Sequence, residues 1–308
     1  MKNKKLLLVG ILGLVGMLSA CEPKTGMASS SAKTKSSRVV KKNKVNFDLN
    51  YEGAPETTVV EIEGGKGVRP LAEEPTREGR AFMGWTATPN GDSFYQFGKE
   101  IEEDLTLYAK WADAGLKKYV FEAEYCPCIS EADDGKGMTG STYSGGTTGV
   151  GLIQEEGSNM PADSSNGFWV HFLYQRNADL IFEIEAEEAC TANIYMRLSG
   201  EYLTPEFTME SPDYLIKHNN QEMSYSAITF TDIPDQGAGW LAFNDYALSL
   251  NVNLTKGTNK FEMITNNDVW MKGTAYGLAP MVDCLKFYTA GNLSWPTAKP
   301  SQCATGGE

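Results

Sequence analysis

From Tyr119 to Tyr288 the chain is a succession of short, strand-like runs with no convincing helix among them, which confines its larger part to an all-β architecture. The runs are Tyr119–Glu124, Phe168–Phe172, Leu180–Ile184, Ala192–Leu198, Ser249–Leu254, Lys260–Ile264 and Cys284–Tyr288. Gly, Asn and Asp loops separate them. Strands of this length and spacing predict one β-sandwich, here bounded at residues 114–290 with a C-terminal tail at 291–308. Trp169 and Trp240, flanked by apolar strand residues, are expected in the core, and His171 is expected to be a structural histidine.

A second β unit precedes it. Val45, Phe47 and Leu49 alternate with Asn46, Asp48 and Asn50, the period of a half-buried strand. Val59–Ile62 and Leu105–Trp111 are further strands, and Pro70–Gly79 is rich in turn residues. Three ordered blocks, Val45–Asn50, Pro75–Trp85 and Asp104–Trp111, resemble the internalin-type B repeat, also called the Listeria/Bacteroides repeat. The resemblance implies a small β-grasp-like fold over residues 45–113, a stalk or adhesion module, with Phe82, Trp85 and Trp111 in its core. Arg80 stands where the family usually has an aromatic, which makes one edge of the unit more polar. Ala112–Lys118 reads as a linker between the two units.

The sandwich segment resembles family 6 and family 35 carbohydrate-binding modules, which are β-sandwich jelly rolls. Phe121–Glu124, Ile194–Arg197, Leu254–Phe261 and Met281–Leu285 carry the resemblance, with Ser144–Gly151 as a loose counterpart of the family's Gly-rich loop. Glu122 and Glu124, at i and i+2 of a strand, project from one face with Cα atoms about 6–7 Å apart. Such a pair fits a calcium ion, a solvated edge or a glycosidase acid/base couple. The resemblance favours a structural calcium, with Asp283 as the third acid. It also implies a sugar site on loops at one end of the sandwich, with Trp270 and Tyr276 as stacking faces, Asn266, Asn267 and Asp268 as hydrogen-bonding partners, and Tyr143 facing Trp270.

The N-terminus addresses the chain to the cell exterior. Lys2, Lys4 and Lys5 precede an apolar run from Leu6 to Leu18, too short to span a bilayer but fitting the h-region of a signal peptide at residues 1–20. Leu18-Ser19-Ala20-Cys21 resembles the bacterial lipoprotein box, implying acylation of Cys21 and an extracytoplasmic chain anchored to a membrane or cell surface. Residues 21–44, a Ser/Lys-rich stretch with almost no apolar content, are expected to be a flexible basic tether.

Ten of the 27 Lys and Arg lie in residues 1–44 against one acid, leaving seventeen bases against thirty-nine acids beyond them. So acidic a surface is a poor partner for nucleic acid. Cys126, Cys128, Cys190, Cys284 and Cys303 remain once Cys21 is acylated, an odd number in an exported chain. First and last strands are neighbours in the resembled fold, which implies a bridge from Cys126 or Cys128 to Cys284 or Cys303. Zinc is the weaker alternative for the Cys-x-Cys pair. No nucleophile elbow, phosphate loop or HExxH motif occurs. The reading is a surface lipoprotein that is not an enzyme and binds extracellular polysaccharide or glycan through a calcium-stabilised sandwich. The alternatives are a structural or adhesive protein with a protein partner at the cell surface, and a small glycan-active enzyme.

Overall fold

The computed structural model describes residues 41–129, 152–157, 162–171, 173, 177–200, 206–230, 241–266 and 279–296. The first unit comprises β1 (Lys42–Asp48), β2 (Thr58–Glu63), β3 (Lys66–Gly67), β4 (Phe82–Thr86), β5 (Glu100–Ile101) and β6 (Leu105–Trp111). Its main sheet runs β2-β1-β6-β4, with β1 parallel to β6 and the other pairs antiparallel. The alternation in β1 turns Val45 and Phe47 inward, where Trp85, Leu107 and Ala109 close a small core. Phe82 and Trp111 pack against that core from its edge.

The second unit comprises β7 (Lys117–Glu122), β8 (Cys128–Ile129), β9 (Leu152–Glu155), β10 (Phe168–His171), β11 (Asp179–Ala186), β12 (Cys190–Ser199), β13 (Phe207–Met209), β14 (Tyr214–His218), β15 (Gln221–Glu222), β16 (Ile228–Phe230), β17 (Asn244–Leu254), β18 (Gly257–Thr265), β19 (Met281–Thr289) and β20 (Leu293–Ser294). One sheet runs β17-β12-β19-β10-β9, with β7 also on β19, and the other runs β15-β14-β18-β11-β20, with β8 also on β11. Between them lies the main core, built on Phe121, Leu180, Phe182, Ile194, Phe261, Leu285 and Phe287. The fold is all-β, as the strand pattern predicted. Trp169 and His171 are buried in β10.

Two expectations about the sandwich change. Glu124 does not continue the first sandwich strand: β7 ends at Glu122, and Ala123–Tyr125 form a 3₁₀ turn, so the argument placing Glu122 and Glu124 on one strand face fails. No disulfide joins Cys126, Cys128, Cys190 and Cys284 to one another, and Cys303 lies outside the described residues. First and last strands are indeed neighbours, with Cys284 opposite Glu122. However, Cys126 and Cys128 face the core, whereas Cys284 alternates with core-facing Leu285 and Phe287 and so points to the opposite face of β19.

That opposite face is covered, so every residue of β19 is buried. Tyr195 and Tyr288, ring centroids 5.6 Å apart, pack there with Met83 and Ala112 of the first unit. Tyr288 OH donates to the carbonyl of Phe82 at 3.2 Å. Asn244 accepts from the Phe97 N–H at 2.7 Å and donates to the Phe97 carbonyl at 3.3 Å. Gly98, at φ +88°, comes so close that a Cβ there would stand 2.7 Å from the Ala242 side chain. Ala112 is buried and Lys117 and Lys118 belong to β7, so the expected linker is part of a packed joint.

Candidate functional site

The site forms where β19 changes neighbours. Along one edge β19 pairs β7 as far as Cys284↔Glu122, then pairs β10 at Val282↔Val170. Between those contacts the register with β12 skips from Arg197↔Cys284 to Leu198↔Val282, leaving Asp283 at a bulge. A bulge re-aims its side chain, here into the gap that β7 vacates.

Residues 163–166, a polar turn ahead of β10, close over that gap. The Ser165 N–H lies 3.1 and 3.0 Å from the two Asp283 carboxylate oxygens. Its Oγ is 2.6 Å from Glu122 Oε2 and 3.0 Å from Asp283 Oδ1. Asn166 Nδ2 donates to Glu124 Oε1 at 2.7 Å. The turn therefore touches all three acids singled out in the sequence, Ser165 joining Glu122 to Asp283 and Asn166 holding Glu124 separately, although not by strand alternation.

Two bases are buried beside them. Arg197 Nε lies 2.8 Å from Asp283 Oδ2 in an ion pair, and its Nη2 donates to the Asp163 carbonyl at 2.7 Å and lies 3.3 Å from Asp163 Oδ2. Nη1 stands 3.7 Å from Asp245 Oδ2, while Lys286 Nζ is 2.8 Å from Asp245 Oδ1. Among the described residues, four acids, Glu122, Asp163, Asp245 and Asp283, thus share two bases.

The excess negative charge is costly out of water. Burial, with Asp283 and Glu124 adding repulsion, pushes the Glu122 carboxyl up to about 7. Burial also pushes Asp163 up to about 6, against the pull of Arg197, and raises Asp283. For Asp245 the bases win: Lys286 and Arg197 overcome burial and hold it below the usual carboxylate range.

One Ser165 hydroxyl hydrogen cannot serve both Glu122 and Asp283. A proton on a carboxyl, or a cation, meets the deficit. The donors that face one another here are hard oxygens: Glu122 Oε2, the Ser165 hydroxyl and the Asp283 Oδ1 that Arg197 leaves open. They fit calcium in kind. Among the described residues, Glu122, Asp283 and Cys284 place ligand atoms within 4.8 Å of one another. Burial holds the Cys284 thiol well above its ordinary pKa, so it supplies no thiolate for zinc.

Of the residues expected at the sugar site, Tyr143, Asn267, Asp268, Trp270 and Tyr276 lie outside the described residues. So do Trp240 and the lipidation residue Cys21. Asn266 follows β18 and spends its amide locally, donating to the Pro212 carbonyl at 3.0 Å. The sequence reading missed Ser165, Asn166, Asp163, Asp245 and Lys286. Its one available signal was the polar run Asp163-Ser164-Ser165-Asn166-Gly167 ahead of an apolar strand.

Residues 44–110 match the Listeria-Bacteroides repeat domain family. No curated protein matches the chain. Solved structures similar to it include a family 35 carbohydrate-binding module from Clostridium thermocellum, at 13% identity over 56% of this chain and 97% of that one, TM-score 0.35. Another is the family 35 module of Cellvibrio japonicus Abf62, at 15% identity over 59% and 99%, TM-score 0.34. A third is Xyl-CBM35 in complex with a disaccharide containing glucuronic acid, at 16% identity over 56% and 99%, TM-score 0.32.

Proposed function

We propose that the protein is a non-catalytic, carbohydrate-binding surface lipoprotein. A lipid on Cys21 holds it to a bacterial membrane, residues 21–44 are its tether, the repeat is its spacer, and the β-sandwich binds extracellular glycan at loops carrying Trp270, Tyr276 and Tyr143. The observation that carries this reading is the placement of the four carbohydrate-module-like blocks. Phe121–Glu124 spans the end of β7 and the 3₁₀ turn after it, Ile194–Arg197 lies in β12, Leu254–Phe261 runs from the end of β17 into β18, and Met281–Leu285 lies in β19 of one two-sheet sandwich, with the first block joined to the last. The excess of buried acid at that junction supports a structural calcium held by Glu122, Glu124 and Asp283, which would lock β7 and the 163–166 turn to β19. Catalysis is disfavoured because Glu124 is wholly buried and Asp283 is held by Arg197. The packed joint between repeat and sandwich favours, as a second reading, an adhesive stalk that binds a protein partner. A glycan array on the intact chain separates the two. Binding that is lost in Trp270→Ala with an unchanged melting temperature supports glycan recognition, and an array without any bound glycan supports the stalk.

A further inference from the structure

The repeat carries a basic pocket that glycan binding by the sandwich leaves unused. Residues 45–113 hold fourteen acids and only six bases, yet three of those six, Arg77, Arg80 and Lys110, line one cavity of about 330 Å³ together with Trp111 and Asn50. A concentration of positive charge in so acidic a unit is not a general property of its surface.

The local backbone accounts for the first two. Arg77 and Arg80 are partners in an antiparallel bridge closed by the Arg80 N–H donating to the Arg77 carbonyl at 3.2 Å, with Gly79 at φ +69° making the turn. The bridge brings the two residues side by side at one turn, and both line the cavity. The Arg77 guanidinium lies 4.5 Å from the centre of the Tyr51 ring and 5.9 Å from that of Trp111, and no carboxylate among the described residues is within ion-pair distance of it.

The other two cations donate to backbone carbonyls, Arg80 Nη1 to Ala112 at 2.9 Å and Lys110 Nζ to Gly91 at 2.9 Å, but their carboxylate partners are weak. Arg80 is 3.8 Å from Asp113 and Lys110 is 3.5 Å from Asp92, both acids with fully exposed side chains. Such pairs contribute little in water and yield readily to a better anion. The Trp111 indole donates to the Leu49 carbonyl at 2.8 Å, which fixes the ring at the pocket wall.

We propose that this pocket binds an acidic pyranose, a hexuronate unit of an extracellular polysaccharide. The Arg77 fork pairs with the sugar carboxylate in a planar, two-point contact, Arg80 and Lys110 add charge, and Trp111 offers its face to the apolar side of the ring. The cavity is of the size that small-molecule sites occupy, about 300–1,000 Å³. It is separate from the loop-end site proposed on the sandwich and stands without it.

The test uses the whole chain, titrated calorimetrically with trigalacturonate, with a glucuronate-bearing hyaluronan tetrasaccharide, with neutral galactotriose and with inorganic phosphate. At least one acidic oligosaccharide should bind, and which of the two binds identifies the uronic acid. Galactotriose should bind about tenfold more weakly or worse, and higher salt should weaken the acidic ligand. Arg77→Gln should cost about tenfold or more with the melting temperature unchanged, and Arg77→Lys should not restore the loss. Trp270→Ala should leave this binding intact. The proposal is overturned if neither acidic oligosaccharide binds, if galactotriose binds equally, if Arg77→Gln has no effect, or if phosphate binds as well as the sugars do.

Discussion

The sandwich and the repeat each gather like charges at one point and treat them in opposite ways. Beside β19 the charges are acids, buried under the 163–166 turn and partly neutralised by Arg197 and Lys286. In the repeat they are bases, half exposed and held by a ring, by backbone carbonyls and by weak surface ion pairs. Burial is what separates the two outcomes. In the seam every unneutralised charge is resolved by a proton, a base or a cation, and the cluster becomes part of the fold. At the basic corner water screens the charges, so they cost the fold little and stay open to a ligand.

The sharpest way to break this contrast is to remove one cation from each region. Arg197→Ala removes the base shared by Asp163, Asp245 and Asp283, with Lys286 left beside Asp245, and should cost about 3–5 kcal/mol in urea unfolding. Arg77→Ala should stay within about 0.5 kcal/mol. Equal effects would refute the distinction.

Calcium is next in size. An ion held only by the native state at a hundredfold excess over its Kd contributes about 2.7 kcal/mol. Added calcium should raise the melting temperature, chelation should reverse the rise, and Glu124→Ala or Asp283→Ala should abolish the response. Identical melts in calcium and in chelator, with elemental analysis finding no retained ion, would remove calcium from the account.

The joint that carries both regions is the third target. Asn244→Ala removes both side-chain hydrogen bonds to Phe97, at an expected cost of about 2 kcal/mol, and should split one calorimetric transition into two. A single unshifted transition would mean that the contact adds nothing.

The smallest effect concerns a second acid cluster. Burial and the neighbouring Glu262 push Asp179 up to about 7. Between about pH 4 and 7 the folded chain therefore holds a proton that the unfolded chain has lost, so stability falls as pH rises across that window. Asp179→Asn should flatten the slope and add about 1 kcal/mol at pH 8, once solvent screening is allowed for. An unchanged slope would contradict the shift.

The strands were legible because period-2 alternation is written in the sequence, as Val45, Phe47 and the run Leu180–Ile184 show. The β14–β15 hairpin was not, although Asn219 and Asn220, both at positive φ, form its two-residue turn; its second strand, Gln221–Glu222, is too short and polar to read. Glu124 was found for a reason that failed. Its identity survived because Asn166 reaches it, a contact 42 residues away that no local pattern encodes. The basic pocket was half visible in the departure at Arg80, but its convergence with Arg77 and Lys110 required the bridge and the β4–β6 register. The joint left a trace in β19, whose run from Met281 to Thr289 is buried on both faces where a solvated strand would alternate.

The central claim, that the sandwich recognises carbohydrate, is tested most directly by a glycan array probed, in calcium-containing buffer, with the intact chain and with Trp270→Ala. The account predicts retention of at least one polysaccharide class by the wild-type chain and its loss, by about 2 kcal/mol or more, in the variant at an unchanged melting temperature. A folded wild-type chain that retains no glycan, or a variant that retains it equally, would contradict the account.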